Sequence, residues 1–410
     1  MTFCDRAFST QASMSTNKYD QPQDRFAFEV AIFCALTFEA DAMIALLDDI
    51  WECEAQYEKA DGDTNTYTIG RIGQLHVVLV HLPYMGKVSA ASVAASLRSS
   101  FPRIRLGLLV GVCGGVPFIP TSKRELILGD IVISTQIVQT DFGRLYPDAF
   151  IRKDRHDNLG RPNSELRSFL LKLQGKEAQI ELETQIQTNL ATLFDSGNFE
   201  SSKYPGALED KLFEATYRHK HQEKKACTIC AQCGSPDDSV CASALGLPCI
   251  ELRCDASKLV PRARIQKIID EDISASYYTP MIHFGALASG DQVVRSAMHR
   301  DRIAEQENVI AFEMEGTGLY ETIPTIVVKG VCDYADSHKD KVWQPYAAAT
   351  AATCAKGLLK AWRVTMRPAL GIHHGEAAVL PRIHQVFSGN FIAGKNVHNS
   401  GTYISESINF

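Results

Sequence analysis

The fold is decided by a nearly continuous apolar run, IRLGLLVGV, at residues 104–112, which ends in the glycine-rich segment GVCGG at 111–115. Such a run is typical of a strand that is buried on both faces of a sheet. Similar segments lie at 28–36, 74–80, 130–138, 282–290, 309–312 and 325–329. Helix-like stretches at 37–50, 87–99 and 346–364 alternate with them, so the sequence predicts an α/β fold with a largely buried sheet.

The chain changes composition several times along its length. Residues 1–25 are polar and aperiodic and are predicted to be a disordered lead-in to one large domain at 26–365. A charged insertion at about 162–275 interrupts this domain; it is helix-prone at 164–194 and 208–225 and then rich in cysteine. Residues 366–383, with their prolines and glycines, are predicted to be a linker to a short tail at 384–410.

The composition argues against several classes of function. The 410 residues include 42 Lys and Arg against 48 Asp and Glu, a net charge of −6, so no overall positive field favours nucleic acid. The longest uncharged stretch, 273–290, is interrupted by polar residues and is shorter than the roughly 20 apolar residues of a membrane span. The first residues, MTFCDRAFSTQASMSTNK, lack the apolar core of a secretory signal. We therefore expect a cytoplasmic protein, with mitochondrial import as the weaker alternative.

Polar residues and glycines that can carry chemistry stand at the ends of the apolar runs, where α/β folds place their sites. These are Glu39, the pair Gly114 and Gly115, the pair Glu313 and Glu315, and Asp333. Each also has a purely structural explanation, as a helix cap, a turn or a solvated acid. Taken singly, none of them decides the function.

Taken together, seven motifs follow one another in a specific order: ALTFE at 35–39, MGKV at 85–88, GVCGGV at 111–116, GDIVIS at 129–134, SGDQV at 289–293, FEMEG at 312–316 and VCDYAD at 331–336. In order and spacing the chain resembles the nucleoside phosphorylase and nucleosidase superfamily over about 28–160 and 280–362. It is most similar to the purine nucleosidases that hydrolyse methylthioadenosine and adenosylhomocysteine, and to fungal immune-effector domains. The resemblance implies a central twisted mixed sheet flanked by helices, and an enzyme that breaks an N-glycosidic bond.

The resemblance also implies a role for each residue of the site. Asp333 corresponds to the acid that protonates N7 of the leaving purine, and burial against Cys332 and Tyr334 is expected to keep it protonated. Glu315 corresponds to the residue that binds the ribose hydroxyls, and Glu39 to the base that activates water. The further substrate-binding positions are Met314, Glu313, Phe312, Gly114, Gly115, Gly86, Lys87, Lys329 and Asp291. No cofactor or catalytic metal is expected.

Hydrolysis is favoured over phosphorolysis because Glu39, an acid, and Val112, which lacks a hydroxyl, stand where phosphorylases hold phosphate. Phosphorolysis, and a catalytically silent signalling module, remain the alternatives. Lys329 replaces an arginine of the family, and Val293 a phenylalanine that covers the base, so Phe312 is expected to stack on the base instead. The substrate is predicted to be an adenine nucleoside or nucleotide, including ATP. The phosphates of a triphosphate would need cations, which could come from the charged insertion and from Lys87, Arg144, Arg152, Lys153 and Arg155; the alternative is that these are surface charges.

Three further features predict metal, partners and assembly. Six cysteines of the insertion, Cys227, Cys230, Cys233, Cys241, Cys249 and Cys254, could supply a tetrahedral thiolate zinc site, although only the first three have the paired spacing; free or buried thiols are the alternative. The resemblance implies a homo-oligomer, and the low-charge segments 84–85 and 145–147 are the candidate contact surfaces. The tail at 384–410 weakly resembles the Gly/Asn-rich amyloid-like motifs with which fungal effectors meet receptors of the NACHT or NB-ARC type. An ordinary disordered tail is the alternative.

Overall fold

The apolar runs of the sequence form the strands of one mixed sheet. The computed structural model describes residues 21–51, 57–148, 150–152, 162–223, 225–235, 238–272 and 278–363. Its strands are β1 Val30–Cys34, β2 Asp49–Trp51, β3 Tyr67–Ile72, β4 Leu75–His81, β5 Leu106–Gly115, β6 Ile131–Gln139, β7 Gly143–Leu145, β8 Phe150–Arg152, β9 Ile282–Ser289, β10 Val309–Glu313 and β11 Thr325–Asp333. Nine of these strands form a sheet in the order β10-β9-β6-β11-β5-β1-β4-β3-β2, and β7 and β8 form a separate ribbon.

The helices lie along the chain between these strands. They are α1 Thr37–Ile44, α2 Lys87–Ser100, α3 Ser164–Leu173, α4 Lys176–Asp195, α5 Thr228–Gln232, α6 Cys249–Leu252, α7 Ala263–Asp270, α8 Ala297–Glu307, α9 Gly316–Tyr320 and α10 Gln344–Arg363. None of the described helices combines the length and the apolar composition that a bilayer crossing requires.

The sheet is mixed and folds back on itself at one end. β1 runs parallel to β4 and β5, and β5 runs parallel to β11, whereas β6 is antiparallel to β11. β10 pairs with β9 and also with β5, where Ala311 lies opposite Gly115, so β5, β11, β6, β9 and β10 close a five-stranded ring. A Cβ at Gly115 would overlap with Leu126 and Val331, so this position of β5 has no room for a side chain. The predicted fold class, an α/β domain with a central mixed sheet flanked by helices, is confirmed.

Both faces of the central strands are buried, which explains why their sequences are apolar throughout. In β1, Ala31 and Phe33 belong to one hydrophobic cluster, and Val30, Ile32 and Cys34 to a second one on the opposite face. Alternate side chains of a strand point to opposite sides of the sheet, so each side needs its own apolar set. Helix α10 supplies much of the second cluster.

Two predicted helices differ in the structure. The stretch at 37–50 forms α1 only as far as Ile44 and then turns into the edge strand β2, because Ile50 pairs with Gly70 of β3. The insertion forms α3 and α4 as its sequence indicates, but the described part of 208–225 contains no α-helix. Phe213 is instead held in an isolated bridge to Leu259.

Several predictions fall on residues that the structure does not describe. They are the first twenty residues of the lead-in, the linker at 366–383 and the tail at 384–410.

Candidate functional site

A cavity of about 470 Å³ lies at the carboxyl ends of β1, β5 and β11, which run parallel. Eight of the predicted site residues line it: Glu39, Gly114, Phe312, Glu313, Met314, Glu315, Lys329 and Asp333. They come from four parts of the chain, because each follows or ends a different strand. A cavity of this volume is within the usual range for small-molecule sites, about 300–1,000 Å³.

Glu39 is buried in the first turn of α1 and is held by three backbone N–H groups. Its Oε2 accepts hydrogen bonds from the N–H groups of Ala35 at 3.0 Å and Leu36 at 2.9 Å, and Oε1 accepts one from Val112 at 2.8 Å. Burial raises the pKa of Glu39 from its ordinary value, against the lowering effect of Lys329 and these hydrogen bonds. The carboxyl group is therefore fixed in orientation and shifted toward stronger basicity.

Gly111 makes room for the Glu39 carboxylate. A Cβ at position 111 would overlap with both carboxylate oxygens of Glu39. The glycine in β5 thus serves the close approach of a side chain from α1, and any larger residue would displace the acid from the cavity wall.

Glu313 and Glu315 flank the half-buried Met314 at the end of β10, and both carboxyl groups are buried. Glu313 Oε2 accepts hydrogen bonds from the N–H groups of Glu315 at 3.0 Å and Gly316 at 2.8 Å. Glu315 Oε1 accepts a longer one, 3.2 Å, from the N–H of Gly86. Burial and the neighbouring Glu315 raise the pKa of Glu313.

Lys329 is the buried cation among these acids. Its side chain is almost fully buried in β11, and Nζ lies 3.5 Å from Oε2 of Glu315. Burial alone would lower the pKa of Lys329, but Glu315, Glu39 and Glu313 raise it above its ordinary value. Lys329 therefore stays charged and offsets part of the negative charge that the carboxylates bring into the cavity.

Asp333 is half-buried at the end of β11 and is paired with a cation. Oδ1 accepts a hydrogen bond from the N–H of Ala335 at 2.8 Å and lies 2.9 Å from Nζ of Lys339. Oδ2 lies 3.4 Å from Sγ of Cys332, whose pKa burial raises so that it stays a neutral thiol. The hydroxyl of the adjacent, buried Tyr334 donates to Asp210 at 2.6 Å.

Four predicted binding residues do not line the cavity. Gly115 pairs with Ala311 where the ring of strands closes, and the N–H of Gly86 donates a hydrogen bond to Glu315. Lys87 forms ion pairs with Asp141 and Asp291, and its backbone N–H donates to Asp291 Oδ1 at 2.9 Å. Lys87 and Asp291 thus neutralise each other at the start of α2.

Two of the five cations proposed for a triphosphate are engaged elsewhere. Lys87 is paired as described, and Arg152 lies 2.7 Å from Glu307. Arg144 is exposed on β7. Lys153 and Arg155 lie outside the described residues.

The cavity has contributors that the sequence analysis missed. His219 and the segment 245–248 of the insertion form part of its wall, and so do the basic residues Arg295, Lys339 and Lys341. Lys339 sits six positions after Asp333 in the VCDYADSHK stretch, which is the one signal that could have identified it.

The cysteines of the insertion group differently from the prediction. The thiols of Cys227, Cys230 and Cys241 lie within 4.8 Å of one another. Cys233, predicted to join the first two, instead has its Sγ 3.8 Å from the carbonyl oxygen of Asp238. Among the described residues, Cys241 therefore lies closer to Cys227 and Cys230 than the spacing of Cys233 suggests, and metal binding by these cysteines stays a prediction.

Comparison with known proteins agrees with the family inferred from the motifs. Residues 29–186 match the sequence model of the phosphorylase superfamily. A "Nucleotide-binding leucine-rich repeat (NLR)-like protein" of Hyaloscypha variabilis is 30% identical over 338 residues, which are 81% of this chain and 29% of that protein. This chain thus spans less than a third of the relative's length.

Among solved structures, a 5′-methylthioadenosine/S-adenosylhomocysteine nucleosidase of Helicobacter pylori is 14% identical with a TM-score of 0.46, over 82% of this chain and 98% of that one. A futalosine hydrolase of the same organism is 14% identical with a TM-score of 0.45, over 82% and 98% of the two chains. An S-adenosylhomocysteine nucleosidase of Streptococcus pyogenes is 17% identical with a TM-score of 0.41, over 82% and 97%.

Proposed function

We propose that this chain, whose residues 29–186 match the sequence model of the phosphorylase superfamily, hydrolyses the N-glycosidic bond of an adenine-containing nucleoside or nucleotide. The observation that carries the proposal is the setting of Glu39 on the cavity wall. Three backbone N–H groups occupy three of the roughly four acceptor sites of its carboxylate, which leaves one for a water molecule. A buried carboxylate with a raised pKa, held in one orientation, is suited to take a proton from that water.

In the proposed reaction, the bond between C1′ and N9 breaks and its electron pair leaves with the purine. Asp333 gives a proton to N7, so that adenine departs as a neutral molecule. Water adds to C1′ of the resulting ribosyl cation, and Glu39 accepts the proton that the water loses. Return of a proton from Glu39 to Asp333 through solvent restores the enzyme.

The buried acids at the end of β10 are proposed to act on the sugar. Glu315 lies at the cavity with its Oε1 in one weak hydrogen bond, and so it can accept hydrogen bonds from the ribose hydroxyls. Glu313 and Glu315 also place negative charge near the carbon that becomes positive in the transition state. Met314 and Phe312 supply apolar surface for the sugar and the base.

Asp333 Oδ2 is the oxygen that suits proton donation. Oδ1 already accepts from Ala335 and contacts Lys339, whereas the contact of Oδ2 among the described residues is the weak thiol donor of Cys332. We therefore assign the transferred proton to Oδ2. Lys339 is then a positioning residue that holds the other oxygen.

Phosphorolysis is the second candidate, and one observation favours it. Arg295, Lys339 and Lys341 line the cavity and could hold an inorganic phosphate. The same three cations could instead hold the 5′-phosphates of a nucleotide substrate. Binding of inorganic phosphate would yield ribose 1-phosphate, whereas binding of a nucleotide's own phosphates would yield a free ribose phosphate by hydrolysis.

The test is to incubate the full chain with adenosine, methylthioadenosine, adenosylhomocysteine, AMP and ATP, with and without inorganic phosphate. We expect adenine and a free ribose compound at a rate that does not depend on phosphate. Formation of ribose 1-phosphate only when phosphate is present would establish phosphorolysis instead.

Two matched variants test whether Asp333 is the catalytic acid. Asp333→Asn is expected to lower the rate by about 10²–10⁴-fold, the usual contribution of a general acid. Glu305→Gln changes an exposed acid of α8 outside the cavity and should leave the rate unaltered. Turnover no higher than the uncatalysed background in both the unaltered chain and the Asp333→Asn variant would favour a silent signalling module, whereas an equal and measurable rate in both would remove Asp333 as the acid.

We further propose a role as an immune effector, with the tail at 384–410 meeting a NACHT or NB-ARC-type receptor. The support is the NLR-like relative, together with the low-charge β-prone units of the tail sequence. The tail fused to a fluorescent protein should form foci and thioflavin-positive fibrils, and Phe391→Pro should abolish them. A diffuse fusion that does not seed would leave only a disordered terminus.

A further inference from the structure

Four metal-binding side chains converge beside the cavity from three distant parts of the sequence. The ligand atoms of His219, Cys249, Cys254 and His338 all lie within 4.8 Å of one another. The first three belong to the insertion, and His338 belongs to the loop after β11 that also carries Lys339. No single stretch of sequence contains this group, and the zinc site predicted from the cysteines includes Cys249 and Cys254 but neither histidine.

The backbone brings the two thiols together. Cys249 and Cys254 are separated by four residues, a spacing within the range of zinc-binding cysteine pairs. Cys249 begins the single turn α6, and Arg253 takes the left-handed conformation at φ 57° after it. This reversal lets the N–H of Cys254 donate to the carbonyl oxygen of Cys249 at 3.0 Å, so both side chains leave the turn on the same side.

His338 presents one ring nitrogen to the thiols and has the other occupied. Nε2 lies 3.2 Å from the carbonyl oxygen of Tyr217, which can only accept, so Nε2 carries the proton and Nδ1 has a free lone pair. Nδ1 lies 3.5 Å from Sγ of Cys249 and 3.9 Å from Sγ of Cys254. A metal-binding histidine typically donates its second ring N–H to a backbone carbonyl or carboxylate in this way.

The imidazole of His338 is also fixed by its aromatic neighbours. Phe213 stacks on it with 4.2 Å between ring centroids, and Tyr217 stacks at 5.5 Å. His219 meets it edge to face at 4.9 Å, and both histidines are buried. The ligand set is therefore held in place by packing as well as by the chain.

We propose that His219, Cys249, Cys254 and His338 bind one zinc ion in a tetrahedral structural site. Two nitrogen and two thiolate ligands in a tetrahedron are the preferred set of zinc. With Zn–S about 2.3 Å and Zn–N about 2.0 Å, neighbouring donor atoms lie about 3.3–3.8 Å apart, which matches the Cys249–His338 separation and is close to that of Cys254. Binding releases the two thiol protons to solvent and changes no oxidation state.

The site connects the insertion to the loop that follows β11. His338 precedes Lys339, which contacts Asp333, and His219 and Pro248 line the cavity next to the cysteines. Four protein ligands leave no open position for substrate, so the metal holds the cavity wall in place and does not itself react.

The test measures metal content of the full chain after dialysis against metal-free buffer. We expect Cys254→Ala and His338→Ala each to lose one zinc per chain relative to the unaltered protein. Cys354→Ala is the matched control, because Cys354 is fully buried in α10 and belongs to neither cysteine group. Circular dichroism of each variant shows whether it has folded.

A second measurement does not depend on the stability of those variants. In a Cys227→Ala/Cys230→Ala background, which removes the separate thiol group, X-ray absorption at the zinc edge should report two sulfur and two nitrogen ligands. Cobalt(II) in the same protein should give the visible bands of a tetrahedral thiolate complex. Zinc lost from Cys227→Ala but retained by Cys254→Ala, a Cys249–Cys254 disulfide in the isolated chain, or no bound metal after purification with zinc would each overturn the proposal.

Discussion

Glu39 shows how one buried acid can be both anchored and reactive. Its three backbone donors favour the charged form, whereas burial opposes it, and the net effect is that its pKa is raised. A group that acts as a base loses activity as the pH falls through its pKa. The raised pKa therefore moves the acidic limb of the activity profile upward.

We predict that kcat/KM of the unaltered chain falls on the acidic side at a pH above about 4.3, the ordinary value for glutamate. Glu39→Gln should lower the rate by about 10²–10⁴-fold, since its amide cannot take a proton and its NH₂ group faces backbone donors. The measurement is base release as a function of pH, with Glu305→Gln as control. An unchanged rate for Glu39→Gln would remove Glu39 from the mechanism.

Gly111 gives a second prediction for the same carboxylate. Gly111→Ala introduces a Cβ into the space of Glu39, so the acid must move from the cavity wall. We expect a loss of activity comparable to that of Glu39→Gln and a lower stability, by about 1–3 kcal/mol as for other overpacked sites.

The matched control for that glycine is Gly234→Ala, whose added Cβ would meet no atom within 4 Å. Thermal unfolding and base release are measured for both variants. If Gly111→Ala kept full activity, Glu39 would not need its present position.

Three secondary-structure elements meet at Asp130, which lies just before β6 and is fully buried. Oδ2 lies 2.9 Å from Nε2 of His283 in β9, and Oδ1 lies 3.0 Å from the Arg264 guanidinium of α7. Burial alone would raise the pKa of Asp130, but these two partners lower it to about 2. The carboxylate therefore joins the insertion to the sheet.

Because the folded pKa lies below the usual value of about 3.9, Asp130 contributes stability that is present above about pH 4 and is lost as the pH falls toward 2. Over this range the free energy of unfolding falls by about 2–3 kcal/mol. We predict that Asp130→Asn removes this part of the acid dependence. It should also lower the free energy of unfolding near pH 7 by about 3–5 kcal/mol, as expected for a broken buried pair.

Chemical denaturation between pH 2 and 7 measures both effects. The control is Glu200→Gln, which breaks the exposed pair with Lys203 and should cause a much smaller change. Equal acid dependence in Asp130→Asn and the unaltered chain would contradict this account of the junction.

The strands and the acids at their ends could be predicted because both depend on local sequence. Glu39, Glu315 and Asp333 each follow an apolar run, and the register of a buried strand fixes where its end lies. The end of α1 could not be predicted, since Asp48 accepts a hydrogen bond from the N–H of Gly73, and Asp49 pairs with Arg71, both distant in sequence. Tertiary partners overrode the helical pattern there.

The rest of the cavity depends on how separate segments meet. Pro248 lines the cavity but belongs to an aperiodic part of the insertion. Lys339 contacts Asp333 because the loop after β11 turns back toward the end of that strand. His219 and His338 meet the cysteine pair only in the folded chain. No pattern within a short window of sequence carries such information.

At the scale of the whole molecule, apolar residues remain exposed on two segments. Tyr84 is 77% exposed and Met85, which also lines the cavity, is 52% exposed. Leu145 on the β7–β8 ribbon is 84% exposed, and Tyr146 is 45% exposed. These are the two segments that the sequence analysis proposes as contact surfaces, and covering them would remove apolar area from water.

We predict a dimer or larger assembly at micromolar concentration, measured by light scattering coupled to gel filtration. Tyr84→Asp and Leu145→Asp should each shift the chain toward the monomer, because a charge in an apolar contact loses its hydration. Leu171→Asp is the control: Leu171 is 71% exposed on α3 and lies in neither segment. Because Met85 belongs both to the cavity wall and to the proposed contact, the monomeric variants should also bind substrate more weakly. A fully active monomer of the unaltered chain would refute the assembly.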